Sequence, residues 1–286
     1  MTSRSWNRGM VLLLGVTATA WSWGAVALAT VQPEAGVGLP RDASVYGHLI
    51  DDFIIEDITV ETPLFIVMCL WLLAAALFYN SKRGHKAMYD HGSWKNPVAV
   101  GICAVAVFIL GADDVYSWFK SNNLLDTYFW NFKDAEANSK TVRVEVNAHQ
   151  WAWNIRYPGP DGKFNTPDDI VTLNDLRVPN DAPVVVELTS VDVIHSFWLP
   201  NMRAKEDAVP GMVNRMIFYP KEVGEYDIGC AQHCGVNHYK MKGLLTVLSR
   251  NDYEMWANEA SQNTSHLWDP DDTIAHWGWD WTWKKD

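Results

Sequence analysis

Cys230-Ala-Gln-His-Cys234-Gly-Val-Asn-His238-Tyr-Lys-Met241 is the stretch that decides how this chain is read, and 35 residues upstream His195 stands in Asp192-Val-Ile-His-Ser-Phe-Trp-Leu-Pro200. Together they supply two thiols, two imidazoles and a thioether, a soft donor set that suits copper far better than magnesium or calcium. A single-copper electron-transfer site would use one Cys, two His and a weak axial Met. The second cysteine is surplus to that. Two thiolates can each bridge two metals, so a dinuclear copper centre uses every donor present. Three plainer readings stand beside it: a Cys230–Cys234 disulfide, favoured in an oxidising exterior; a tetrahedral zinc held with His195 and His238; and unrelated core residues. The disulfide and the zinc site leave Met241 unused. The spacing Cys-x3-Cys-x3-His-x2-Met in a single loop is far more specific than a chance grouping of core residues.

Around this stretch lie short valine-rich runs of alternating character: Val142-Arg-Val-Glu-Val146, Val184-Val-Val-Glu-Leu188, Met216-Ile-Phe-Tyr219 and Leu244-Leu-Thr-Val-Leu248. Period-two runs separated by Pro, Gly, Asn and Asp clusters predict an antiparallel sandwich or barrel over 141–250. Within it, Gly159-Pro-Asp161-Gly-Lys-Phe-Asn-Thr-Pro-Asp168-Asp169 is an acidic, turn-rich insertion. It has oxygens enough for calcium but completes no EF-hand loop, so a plain hairpin connection is the better reading.

Toward the N-terminus the pattern changes. From Thr62 to Ser81 there is no charge, and these 20 residues would span about 30 Å as a helix, the thickness of a bilayer's hydrocarbon core. Asn96 to Ala112 is a second uncharged run, closed by Asp113-Asp114 and then by Tyr116 and Trp118 at an expected interface. Lys82, Arg83, Lys86 and Lys95 lie between the runs, so the positive-inside rule places that connection in the cytoplasm and everything after Ala112 outside. The domain plan is therefore a hairpin over 31–120 with spans at about 62–81 and 96–112, a polar connector over 121–140, the β domain, and a tail over 251–286. Residues 1–30, with Arg4 and Arg8 ahead of an apolar run ending in Ala27-Leu28-Ala29, read as a signal peptide or an anchor helix. Cys69 and Cys103 fall inside the spans and read as inert apolar-environment thiols.

The chain has 286 residues, 23 basic against 34 acidic, a net charge of −11 and a mean hydropathy of −0.13. An excess of acid argues against a nucleic-acid partner and for basic ones. The near-zero hydropathy is the mean of two unlike parts, because 13 basic and 21 acidic residues, a net of −8, lie from Thr141 onward. Sixteen tryptophans are unusual. Trp277, Trp279, Trp281 and Trp283 recur at spacing two, which would put four rings on one face of an extended strand. Such a face is expected to pack on a partner subunit or the membrane surface.

Taken together, Cys-x-x-x-Cys-Gly-x-Asn-His-x-x-Met after Asp-Val-x-His-Ser, with His149-Gln-Trp-Ala-Trp153 before both, resembles subunit II of the haem-copper cytochrome c oxidases. The resemblance covers both spans and the domain to about Leu248. It implies a transmembrane helical hairpin followed by an all-β cupredoxin Greek-key barrel, periplasmic in a bacterial-type plasma membrane. The barrel would hold the dinuclear CuA centre, with Cys230 and Cys234 bridging, His195 and His238 as terminal ligands, and Met241 and the main-chain carbonyl of Gln232 as weak ones. Trp151 would be the aromatic through which electrons arrive from cytochrome c. Asp192 and Glu187 are candidates for steering that donor. The haem-copper catalytic subunit I, other membrane subunits and lipid would be its partners, with oxygen reduced in subunit I.

Two departures qualify the likeness. The family usually has Glu between the cysteines, binding magnesium, where this chain has Gln232, and a neutral amide is a poorer magnesium ligand. The family also tends to place a carboxylate at the cytoplasmic start of its second span, where this chain offers only Asp90. Both leave room for an alternative, a CuA-bearing subunit of a haem-copper nitric oxide reductase.

Overall fold

The computed structural model describes residues 38–84 and 97–265. The N-terminal apolar run, the basic connection around Lys86, Asp90 and Lys95, and the tail from Trp268 lie outside the described residues. The chain divides into two compact units, one built on two long helices and the other made of Pro40–Ile50 with the chain from Leu124 on.

Helix α1 is Gly47–Phe78 and α2 is Pro97–Leu124, and both are long and apolar enough to cross a membrane. Among the described residues many of their apolar side chains lie uncovered: Trp71 is 72% exposed and Phe108 77%. Such surfaces are untenable in water and ordinary in lipid. Cys69 and Cys103 are exposed on these helices as well. Both helices run beyond the uncharged spans because polar side chains pair between them where the apolar runs stop. Lys120 bonds Glu56, the Tyr116 hydroxyl donates to Glu56 at 3.0 Å, and the Ser117 hydroxyl donates to Asp57 at 3.2 Å.

In the second unit, the expected connector is largely helical. A π-turn, Leu125–Phe129, leads to α3, Phe132–Ala137, whose N-cap Asn131 accepts from the Asp134 amide at 3.3 Å. Ten strands follow: β1 (Val142–His149), β2 (Ala152–Tyr157), β3 (Ile170–Leu173), β4 (Asp175–Pro179), β5 (Val184–Ser190), β6 (His195–Leu199), β7 (Ala204–Ala208), β8 (Asn214–Phe218), β9 (Gly224–Cys230) and β10 (Lys242–Leu248). They form two five-stranded sheets, ordered β3-β2-β1-β5-β8 and β4-β10-β9-β6-β7. The sandwich is not purely antiparallel, since β1 pairs with β5 and β4 with β10 in parallel. The chain leaves the first sheet after β3, adds β4 to the second, and returns as β5, so β5 meets β1 in the same direction.

Val144, Val146, Trp153, Ile155, Leu176, Val186, Phe197, Ile228 and Leu245, all buried, face one another between the sheets. Val185 and Ile217 look outward instead, and α3 covers them with Ala135 and Phe132. That cover explains why β5 is buried along its whole length rather than alternating. The acidic insertion joins β2 to its antiparallel neighbour β3, with the Thr166 hydroxyl within bonding distance of the Asp168 and Asp169 carboxylates at 2.8 and 3.2 Å. The tail expected from residue 251 begins as a helix, α4 (Arg250–Ser265), which packs Tyr253, Trp256, Ala257 and Ala260 on the core.

Candidate metal centre

One end of the second sheet carries the centre. β6 begins at His195 and β9 ends at Cys230, and Phe197 pairs directly with Cys230. The two neighbouring strands thus deliver an imidazole and a thiol to the same place. The chain then leaves the sheet for residues 231–241, makes one 3-10 turn at His238–Lys240, and returns as β10 beside β9. This short connection between antiparallel neighbours brings in Cys234, His238 and Met241.

The Sγ atoms of Cys230 and Cys234 are 3.7 Å apart. Cys234 Sγ lies 3.6 Å from His238 Nδ1 and 3.7 Å from Met241 Sδ, while His195 Nδ1 lies 3.1 Å from the same Sδ. The carbonyl oxygen of Gln232 is 3.2 Å from Cys230 Sγ. The structure therefore brings together all six residues named from the sequence as ligands. Both cysteines are free thiols, and their separation is well beyond the roughly 2.05 Å of a disulfide bond.

The donor set itself tests whether a metal belongs here. Thiols and thioethers are weak hydrogen-bonding groups. A cluster with His195, Cys234 and Met241 buried and Cys230 and His238 half-buried, whose sulfur and nitrogen atoms have chiefly one another for company, is a poor way to satisfy hydrogen bonds and a good way to hold a soft ion. His195, Cys230 and Cys234 offer donor atoms within 4.8 Å of one another, a group that could bind a metal. Burial pushes the Cys230 thiol up, but hydrogen bonding to His195 and to nearby backbone outweighs it and leaves its pKa lowered. Burial and the adjoining Cys230 sulfur push the Cys234 thiol up instead. Two adjacent thiolates repel, and a cation between them removes the conflict.

Asp192 fixes the orientation of His195. Its Oδ1 sits 2.9 Å from His195 Nε2. A carboxylate can only accept, so Nε2–H donates to it and Nδ1 is turned toward the sulfurs. Burial works against the Asp192 carboxylate, yet its bonds to His195 and to the amides of Val193 and Gln150 hold its pKa below the ordinary value. Glu187, the other steering candidate, is buried on β5 and lies 3.7 Å from Arg215, so it is no surface charge.

Trp151 lies in the two-residue turn between β1 and β2, half-buried against the core. Its Nε1–H is buried and has no partner among the described residues. Sequence reasoning missed Gln150, whose side-chain amide donates to the Cys234 carbonyl at 2.7 Å, and Trp153, whose ring stands edge-on to His195 at 6.0 Å and to Phe197 at 5.0 Å. The signal for both was their place in His149-Gln-Trp-Ala-Trp153, at the end of a strand that points to the centre.

Residues 142–247 match the family described as cytochrome c oxidase subunit II, periplasmic domain. The alternative cytochrome c oxidase subunit 2 of Bradyrhizobium diazoefficiens is 30% identical over 243 residues, covering 76% of this chain and 82% of that protein. The chain belongs to the cytochrome c oxidase subunit II family. The cytochrome c oxidase subunit 2 of Cereibacter sphaeroides is 26% identical over 295 residues, covering 91% of each. The solved periplasmic domain of subunit II of cytochrome oxidase from Bradyrhizobium japonicum is 28% identical, covers 43% of this chain and 95% of that one, and superposes with a TM-score of 0.38. Within the subunit II family, two membrane-capable helices and a β domain of the periplasmic type make this a membrane protein of electron transport.

Proposed function

We propose that this chain is the electron-accepting subunit II of a respiratory cytochrome c oxidase. It takes electrons from cytochrome c at a dinuclear CuA centre and passes them to the haem of subunit I, where oxygen is reduced. The observation that carries the reading is the convergence of Cys230, Cys234, His195, His238 and Met241, five soft donors, at one end of the second sheet beside the Gln232 carbonyl. Cys230, Cys234, His195 and His238 would hold the copper, with Met241 and the Gln232 carbonyl as weaker ligands. Copper bound there would supply one-electron transfer. The chain's own residues do the rest. Strands β6 and β9 carry His195 and Cys230, the connection from β9 to β10 brings the other donors to them, Asp192 fixes the His195 ring, and His195, Cys234 and Met241 are buried. Trp151 is the point at which electrons arrive. Magnesium has no carboxylate at Gln232 to bind.

The purified full chain supplied with copper should take up two coppers and show the purple colour and paramagnetic signal of a mixed-valence pair. One copper per chain, or a preference for zinc, overturns the reading. Gln232 also fits the alternative, a nitric oxide reductase subunit freed from magnesium binding. Turnover of the native complex on oxygen against nitric oxide separates the two.

A further inference from the structure

The turn that carries Trp151 is tied to the metal centre by a chain of hydrogen bonds. The Gln150 amide donates to Asp192 Oδ2 at 2.7 Å, while the other oxygen of that carboxylate accepts from His195 Nε2 at 2.9 Å. The Gln150 side chain donates to the Cys234 carbonyl at 2.7 Å. The chain His195–Asp192–Gln150–Cys234 thus begins and ends on two members of the donor set and runs through the residue before Trp151. A separate observation concerns Gly235, whose φ is 119°. A Cβ there would lie 2.9 Å from Gln150 Nε2 and 3.4 Å from both Cζ2 and Nε1 of Trp151. The indole therefore rests on the Gly235 peptide, one residue from Cys234, in a space that a side chain would fill.

We propose that Gln150 is a positioning residue, anchored by Asp192, which holds the Trp151 indole on the Gly235 peptide and so sets how fast an electron reaches the cysteine pair. The inference rests on the function proposed above. In the step, a reduced one-electron donor loses an electron and the metal pair gains it; no bond forms or breaks. Gln150 contributes geometry alone, because its side chain joins the turn to the loop across 84 positions of sequence. Without that bond the turn keeps its anchor to Asp192, which bonds His195 on β6 and not the loop.

The test uses the copper-loaded full chain in detergent, with reduced cytochrome c as donor. Gln150→Ala removes the side chain, and Gln150→Glu keeps its shape but, as a carboxylate, cannot donate. Each is made with Trp151 present and in a Trp151→Phe background. Copper content and absorption spectrum should stay unchanged, while electron uptake slows on the order of tenfold beside Trp151 and no further in the Phe background. In the metal-free chain, amide exchange across residues 148–153 should quicken in Gln150→Ala. Unchanged uptake, equal slowing in both backgrounds, unchanged exchange, or loss of copper from Gln150→Glu would each overturn the proposal. The unsubstituted chain's copper content tests the parent reading separately: if it fails to bind two coppers, both inferences fall.

Discussion

Gly235 answers two demands at one position. Its φ of 119° is strained for any residue with a side chain, and the space beside it is already taken by Gln150 and Trp151. Gly235→Ala should therefore destabilise the folded chain by about 1–2 kcal/mol from the backbone alone. The nearer neighbour is the far end of a flexible side chain, at 2.9 Å, so the steric part can be relieved. Making Gln150→Ala in the same chain should recover part of the loss, giving a non-additive pair in thermal unfolding. Strict additivity would mean that the two residues do not share the space the distances indicate. The residue scale is also where the sequence was most legible. Four of the five soft donors fall within twelve consecutive positions, Cys230 to Met241, so their types and spacing could be read directly. The Gln150 bond could not, because its place in His149-Gln-Trp marks the residue while its partner, the Cys234 carbonyl, lies 84 positions away.

At the scale of elements, the runs that were legible in sequence are the ones whose periodicity survives folding. Val142–Val146 and Leu244–Leu248 fall inside β1 and β10. β7, Ala204-Lys-Glu-Asp-Ala208, is an edge strand with charge at its centre, which guards an edge but leaves no apolar pattern. Helix α4 had a signal that went unread: Ser249 and Asp252 bond each other reciprocally at 2.6 and 3.3 Å, an N-terminal capping pattern. Its first residue, Arg250, reaches Asp181 at 2.7 Å, and Lys140 reaches the other oxygen of that carboxylate at 3.0 Å. Partial burial works against the Asp181 carboxylate, but Arg250 and Lys140 outweigh it and hold its pKa below the ordinary value. A carboxyl lowered in the folded state contributes stability that is complete above its unfolded pKa and fades as pH falls through the folded one. With Asp181 partly in solvent the contribution is about 0.2–1 kcal/mol. Acidification through the carboxylate range should therefore speed amide exchange at the start of α4, and Asp181→Asn should abolish that dependence. A pH response that persists in Asp181→Asn would assign it to another group.

For the whole molecule, the decisive quantity is the field rather than any one contact. The net charge is −11, and 21 of the acidic residues lie from Thr141 onward, in the part that the proposed function sets before a donor. Single carboxylates near the centre do not account for this by themselves: Asp192 is occupied with His195 and Gln150, and Glu187 is buried beside Arg215. On the proposed function, attraction of a basic cytochrome would come from charges spread over the exposed faces, such as Glu225 and Asp227 on β9. A summed field acts over distance and is screened when the Debye length shrinks, from about 30 Å at 0.01 M salt to about 8 Å at physiological strength. Electron uptake by the copper-loaded chain from a basic cytochrome should accordingly slow steeply over that range. Glu187→Gln should leave the steepness unchanged, because removing a buried, paired charge alters little that an approaching donor feels. A rate independent of salt would mean that apolar contact alone seats the donor, and that the acidity of the domain serves solubility instead.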